Sequence, residues 1–163
     1  MKANGLISRA FLALLLSTPA LAAAQKTETP QVDTSGVGAA CVAPGDESRP
    51  LSAMSTAERH ALIECANRYA AQQINAQTPM RVDDITTLES VTTSGTTVIY
   101  NQRANVDVRD ITAPIRAQMD QTVRRNVCAS EQMRNTISYG GGYRYIWVDR
   151  AGAFIHRVDI TRC

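Results

Sequence analysis

The sequence is poor in the features that announce a chemistry. It holds two histidines, four cysteines without a C-x-x-C pair, and only 5% aromatic residues. Without close-set thiols or clustered imidazoles there is no ligand set for a metal, so neither a metal nor a cofactor is expected. A G-x-S-x-G elbow is absent, and Gly140-Gly141-Gly142 precedes a strand pattern instead of opening a helix that would cradle phosphate. Charge of one sign is lacking too. Seventeen basic residues against 15 acidic give a formal +2, which is no footprint for nucleic acid. No apolar run reaches the roughly 20 residues that span a bilayer. What remains, 163 residues at 44% hydrophobic and 20% charged, fits one ordinary folded domain.

The first 24 residues have the organisation of a secretory signal peptide. Lys2 and Arg9 form the positive region, Phe11 to Leu16 the apolar run, and Ala20-Leu21-Ala22 or Ala22-Ala23-Ala24 the small-residue cleavage site. Removing Lys2 and Arg9 leaves 15 basic and 15 acidic groups, a neutral mature chain without an integral membrane segment. A periplasmic or secreted location follows, and with it an oxidising environment for Cys41, Cys65, Cys128 and Cys163. An even number of thiols there favours two disulfides, for which three connectivities exist.

Residues 25–50 read as a flexible linker: Pro30, Pro44, Pro50, Gly36, Gly38 and Gly45 sit among small polar residues, with little to bury. A single domain, residues 51–163, follows. Ser55-Thr56-Ala57-Glu58 is a capping box, and Leu62, Cys65, Ala66, Tyr69, Gln73 and Ala76 mark one face of a helix over 56–76. Two β-branched runs, 85–93 and 96–100, meet at Ser94-Gly95 in a hairpin. Thr112 and Pro114 start a second helix with the stripe Ile111, Ile115, Met119, Val123 and Val127. A helical turn, Ser130–Asn135, comes next. Tyr143, Tyr145 and Trp147 then alternate with Arg144, Ile146 and Val148, and beyond a turn at Gly152, Phe154, His156, Val158 and Ile160 alternate with Ile155, Arg157 and Asp159.

The order α-β-β-α-β-β predicts an α+β fold, a four-stranded antiparallel sheet with two helices packed on one face. Gly95 to Tyr100 and Gly142 to Trp147 match as a degenerate repeat 47 residues apart. Cys128 ends the second helix and Cys163 the last strand, so a bridge between them staples helix to sheet, leaving Cys41–Cys65 to clip the linker to the first helix. Each bridge closes a loop worth roughly 3–4 kcal/mol in the chain-entropy picture.

The spacing Cys128-x4-Met133-Arg134-x2-Ile137-x2-Gly140-x2-Tyr143-x-Tyr145-x-Trp147-x-Asp149-x2-Gly152-x-Phe154-Ile155-x2-Val158-x-Ile160-x2-Cys163, with Thr87-Leu88 and the Gly95 turn upstream, resembles small exported bacterial proteins of the quorum-sensing-regulated virulence factor type. The resemblance covers about residues 80–163. Its motifs specify hairpins and disulfides, and it brings no catalytic residues.

The remaining chemistry is sparse. His60 and Glu64 share a helix face at i, i+4, as an acid–base pair would, but surface ladders have the same spacing and no third group is supplied. Tyr143, Tyr145 and Trp147 project from one strand face, as core or as an interface platform. Arg144, Ile155 and Arg157 are assigned to the other face, which is too apolar to be wholly solvated. These six residues are the candidate binding set. The expected function is non-enzymatic: an exported, disulfide-braced protein that binds another envelope or host protein, with an accessory role in virulence or secretion. The alternatives are a small periplasmic enzyme inhibitor presenting Ser138–Gly142, and a hydrolase using His60 and Glu64.

Overall fold

The computed structural model describes residues 32–33, 35–45 and 48–163. The expected signal peptide, residues 1–24, and parts of the expected linker lie outside the described residues. Among the described residues no helix is long and apolar enough to cross a membrane.

Inside the segment read as linker, Ser35–Cys41 forms a short helix, α1. Its two glycines made it look unstructured, and one of them is required: a Cβ at Gly36 would approach the Tyr69 hydroxyl oxygen to 2.1 Å. α1 lies on α2, Thr56–Asn75, and Cys41–Cys65 fastens the two with a Cα separation of 5.6 Å. Gln73 adds a pair of hydrogen bonds, accepting from Asp33 N and donating to Asp33 O, each 2.8 Å.

The capping box of α2 is formed. Ser55 Oγ accepts from Glu58 N at 3.3 Å, and Glu58 Oε2 accepts from Ser55 N at 2.7 Å. Its sheet-facing side is Ile63, Asn67, Ala71 and Ile74, one position on from the stripe expected. The reason is that α2 serves two neighbours. The face with Cys65 and Tyr69 meets α1, and the adjacent face meets the sheet. Two amides tie it to the sheet: buried Asn67 donates to Thr96 O at 2.9 Å, and Asn75, at the exposed end of the helix, exchanges two bonds with the Val91 backbone.

The sheet has five strands where four were expected. They are β1 (Met80–Arg81), β2 (Thr86–Ser94), β3 (Thr97–Ala104), β4 (Gly142–Val148) and β5 (Phe154–Ile160), in that spatial order. The sheet is mixed, not wholly antiparallel, because β3 and β4 run parallel. Between them the chain passes through α3 (Ala113–Ala129) and α4 (Glu131–Ser138), and this crossover carries it back to the end of the sheet where β3 began, which dictates parallel pairing. Periodicity within each strand carries no signal for this. α4 is a full helix where a single turn was expected, capped by Ser130 Oγ accepting from Met133 N.

One core lies between the sheet and the helices, drawing Ala71 and Ile74 from α2, Val123 and Val127 from α3, and Leu88, Val91, Val98, Trp147, Val158 and Ile160 from the strands. Cys128–Cys163 ties the end of α3 to the residues after β5, with a Cα separation of 5.6 Å. Both bridges join the pairs that the topology had suggested.

Candidate functional site

Two surfaces remain after the core is assigned, one on each side of the sheet. Which residues belong to which is decided by a β-bulge. Trp147 pairs with His156, but Val148 pairs with Phe154, so Ile155 is an extra residue in β5. The insertion turns Ile155 inward, 3% exposed, and turns Phe154 outward, 61% exposed. Simple alternation had assigned both to the opposite faces. The irregularity is held by α3: Arg116 Nε donates to Ile155 O at 3.2 Å, and Asp120 Oδ1 lies 2.9 Å from His156 Nε2.

On the helix side, α3 does not close fully over the sheet. A cleft of about 480 Å³ opens between α3 and the loop joining β1 to β2. Met119 and Ile115 form the helix wall, Ile85 the loop wall, and Tyr145, Trp147 and Gln102 the floor. Ile85 and Ile115 stand 52% and 38% exposed, apolar side chains flanking an apolar cleft. Tyr145 stacks on Tyr100 at 4.8 Å and on Trp147 at 5.9 Å between ring centroids, giving the floor a continuous aromatic surface. Burial pushes the Tyr100 and Tyr145 phenols far up, so both stay protonated.

The far side of the sheet has a different character. Ile99, Ile146 and Val148 sit at its centre, half-buried, with exposed Phe154 beside them, and none of the four belongs to the core beneath the helices. A polar border flanks the strip. Asp159 binds Arg144 Nε at 2.5 Å with one oxygen and Arg157 Nε at 2.8 Å with the other, and Arg103 pairs with Glu89. Cross-strand registry puts these pairs next to the apolar residues: Ile99 opposite Arg144, and Ile146 opposite Arg157.

The six candidate binding residues thus divide three ways. Tyr145, Trp147 and Ile155 line the cleft, Arg144 and Arg157 frame the far side, and Tyr143 is core. The structure does not bring them together as one patch, and Ile155 leaves the arginine face where it had been expected. The missed signal was the bulge, which alternation alone does not reveal. Ile85 and Ile115 were also missed; each sits in a run that reads locally as strand or helix core.

The proposed acid–base pair is not assembled. Glu64 accepts from Arg68 at 3.0 Å, while exposed His60 lies against Gly140, where an added Cβ would meet its Nε2 at 2.7 Å. An open groove nearby is lined by Leu51, Ile63 and residues of α4 and includes neither. Among the described residues no cluster of three or more His, Cys, Asp or Glu is arranged to hold a metal. The Ser138–Gly142 segment is anchored at its backbone. Gly140 N and Gly141 N donate to Ile137 O and Thr136 O, Gly142 N donates to Thr96 O, and Thr96 Oγ1 donates to Gly140 O.

Comparison with solved structures finds this architecture elsewhere. The pilotin AspS of the Vibrio cholerae type II secretion system superposes with a TM-score of 0.55 at 19% identity, over 67% of this chain and 97% of that one. The pilotin EpsS of the Vibrio vulnificus type 2 secretion system gives 0.56 at 18% identity, over 64% and 93%. A candidate secreted protein of Pseudomonas aeruginosa gives 0.54 at 11% identity, over 63% and 91%. The fold is shared. No family model matches the sequence, and the comparison with curated proteins found no match.

Proposed function

We propose that this is an exported, non-enzymatic protein that acts by binding another envelope or host protein, with an accessory role in secretion. The observation that carries the reading is the side of the sheet that no helix among the described residues covers, where Ile99, Ile146, Val148 and Phe154 form an apolar centre inside a border of Arg–carboxylate pairs. That is the anatomy of a protein interface, an apolar middle with a charged rim. The likeness of nearly the whole of two pilotins to this fold supports a place among secretion accessories. The two disulfides and the secretory character of residues 1–24 support a periplasmic or secreted location. The resemblance of residues 80–163 to quorum-sensing-regulated virulence factors stands as part of the same proposal.

The test is affinity capture from an envelope extract with three forms of the mature protein. Wild type and Ile115→Glu, altered only in the cleft, are expected to retain the same partner, and Phe154→Asp to lose it. Equal retention by Phe154→Asp would remove the sheet face from the account.

A further inference from the structure

The cleft beneath α3 is separate from the sheet face and has a chemistry of its own. Its volume, about 480 Å³, lies within the range of about 300–1,000 Å³ typical of small-molecule sites. The lining is almost wholly uncharged. Asp83 is the one ionisable carboxylate along it, and its Oδ1 already accepts from the backbone amides of Ile85 at 2.9 Å and Thr86 at 2.8 Å.

Gln102 is the feature that apolar packing does not explain. It is 8% exposed, on a central strand, on the floor of the cleft. Its carboxamide makes no hydrogen bond with any described residue, yet neither of its polar atoms is sealed off; the group faces the cleft. A buried amide left without a protein partner is costly, and a core position next to Trp147 would ordinarily be apolar. Gln102 offers one acceptor and two donor hydrogens in a plane, flanked by the aromatic floor of Tyr145 and Trp147.

We propose that this cleft is a binding site for a neutral small molecule with an apolar body and a carboxamide-type head, which pairs with Gln102. The apolar body lies along Met119, Ile115 and Ile85, and the head exchanges a donor and an acceptor with the Gln102 amide. A charged head is disfavoured, because the lining supplies no cation to a carboxylate and would strip its water.

The probe is the neutral dye N-phenyl-1-naphthylamine, whose fluorescence rises in apolar sites, titrated into the mature protein and then displaced. Octanamide is expected to displace it at a concentration at least tenfold lower than octanoate, which has the same chain and a charged head. Gln102→Met, close in volume and without the amide, is expected to keep dye binding and lose the preference for octanamide. Met119→Trp, which fills the cleft, is expected to abolish dye binding with an unchanged circular dichroism spectrum. If Gln102→Met does not fold, the two competitors on the wild type still decide. Absence of saturable dye binding, equal displacement by octanamide and octanoate, or an unaltered preference in Gln102→Met would each overturn the proposal. None of these results bears on capture through Phe154.

Discussion

Tyr100 and Tyr145 stack face to face, ring centroids 4.8 Å apart and planes inclined by 15°, because the parallel register of β3 and β4 sets them side by side. The sequence repeat would superpose Tyr100 on Trp147, 47 residues later, whereas the sheet pairs it with a residue 45 later. A slip of two residues keeps every side chain on its own face. The two matching segments therefore lie next to each other in space, offset by one strand period.

The stack contributes through its rings and not its hydroxyls. Tyr145→Phe should change stability by less than about 0.5 kcal/mol, while Tyr145→Ala should cost roughly 3 kcal/mol, in the range for large aromatic truncations. Urea denaturation of the two variants measures the difference.

Asp149 holds the β4–β5 turn. It is 4% exposed, and its Oδ1 accepts from Ala151 N and Ala153 N at 2.8 Å each, while Oδ2 reaches Val108 N at 3.2 Å. Those backbone bonds keep its carboxyl below the usual carboxylate range. Asp149→Asn replaces one acceptor by a donor and should cost about 1–3 kcal/mol. The turn amides of Ala151 and Ala153 should lose hydrogen-exchange protection first.

Acid should weaken the fold in a defined window. The Arg49 guanidinium holds the Glu58 carboxyl at about 2, against an ordinary 4.5, and Arg109 holds Asp107 at about 2, against 3.8. Both are lowered on folding, so their contribution is present above the unfolded values and is lost as pH falls from about 4.5 to about 2. Denaturation midpoints should drop across that interval, and Glu58→Gln should flatten the drop. An equal drop in Glu58→Gln and wild type would refute this assignment for Glu58.

Replacing Cys128 and Cys163 by Ser should cost roughly 4 kcal/mol, since their bridge spans 35 residues. Arg124 donating to Arg162 O at 3.0 Å is a contact that remains to hold the same segment. Thermal unfolding under non-reducing conditions reads the loss directly.

The sequence made local features plain. The Ser55–Glu58 capping box, the turn at Gly95 and the turn at Gly152 each depend on a few adjacent residues, and each is present. Contacts distant along the chain were harder. The parallel pairing of β3 and β4 depends on where the α3–α4 crossover ends, and the sheet-facing side of α2 depends on α1 having taken the neighbouring one. At the candidate site, Tyr145 and Trp147 were visible as an aromatic pair of uncertain exposure, but the cleft that they floor exists only because α3 stands away from Ile85. The far face was legible in Ile146, Val148, Arg144 and Arg157. Phe154 joined it through the extra residue at Ile155, and no periodic reading places an insertion.

The central claim is that the sheet face around Phe154 meets another protein. A photo-reactive p-benzoylphenylalanine at Phe154, compared with one at exposed Arg125 on α3, tests it in the native envelope. Irradiation should give a discrete higher-mass adduct at Phe154 and none at Arg125. No adduct at Phe154, or equal adducts at both, would contradict the account.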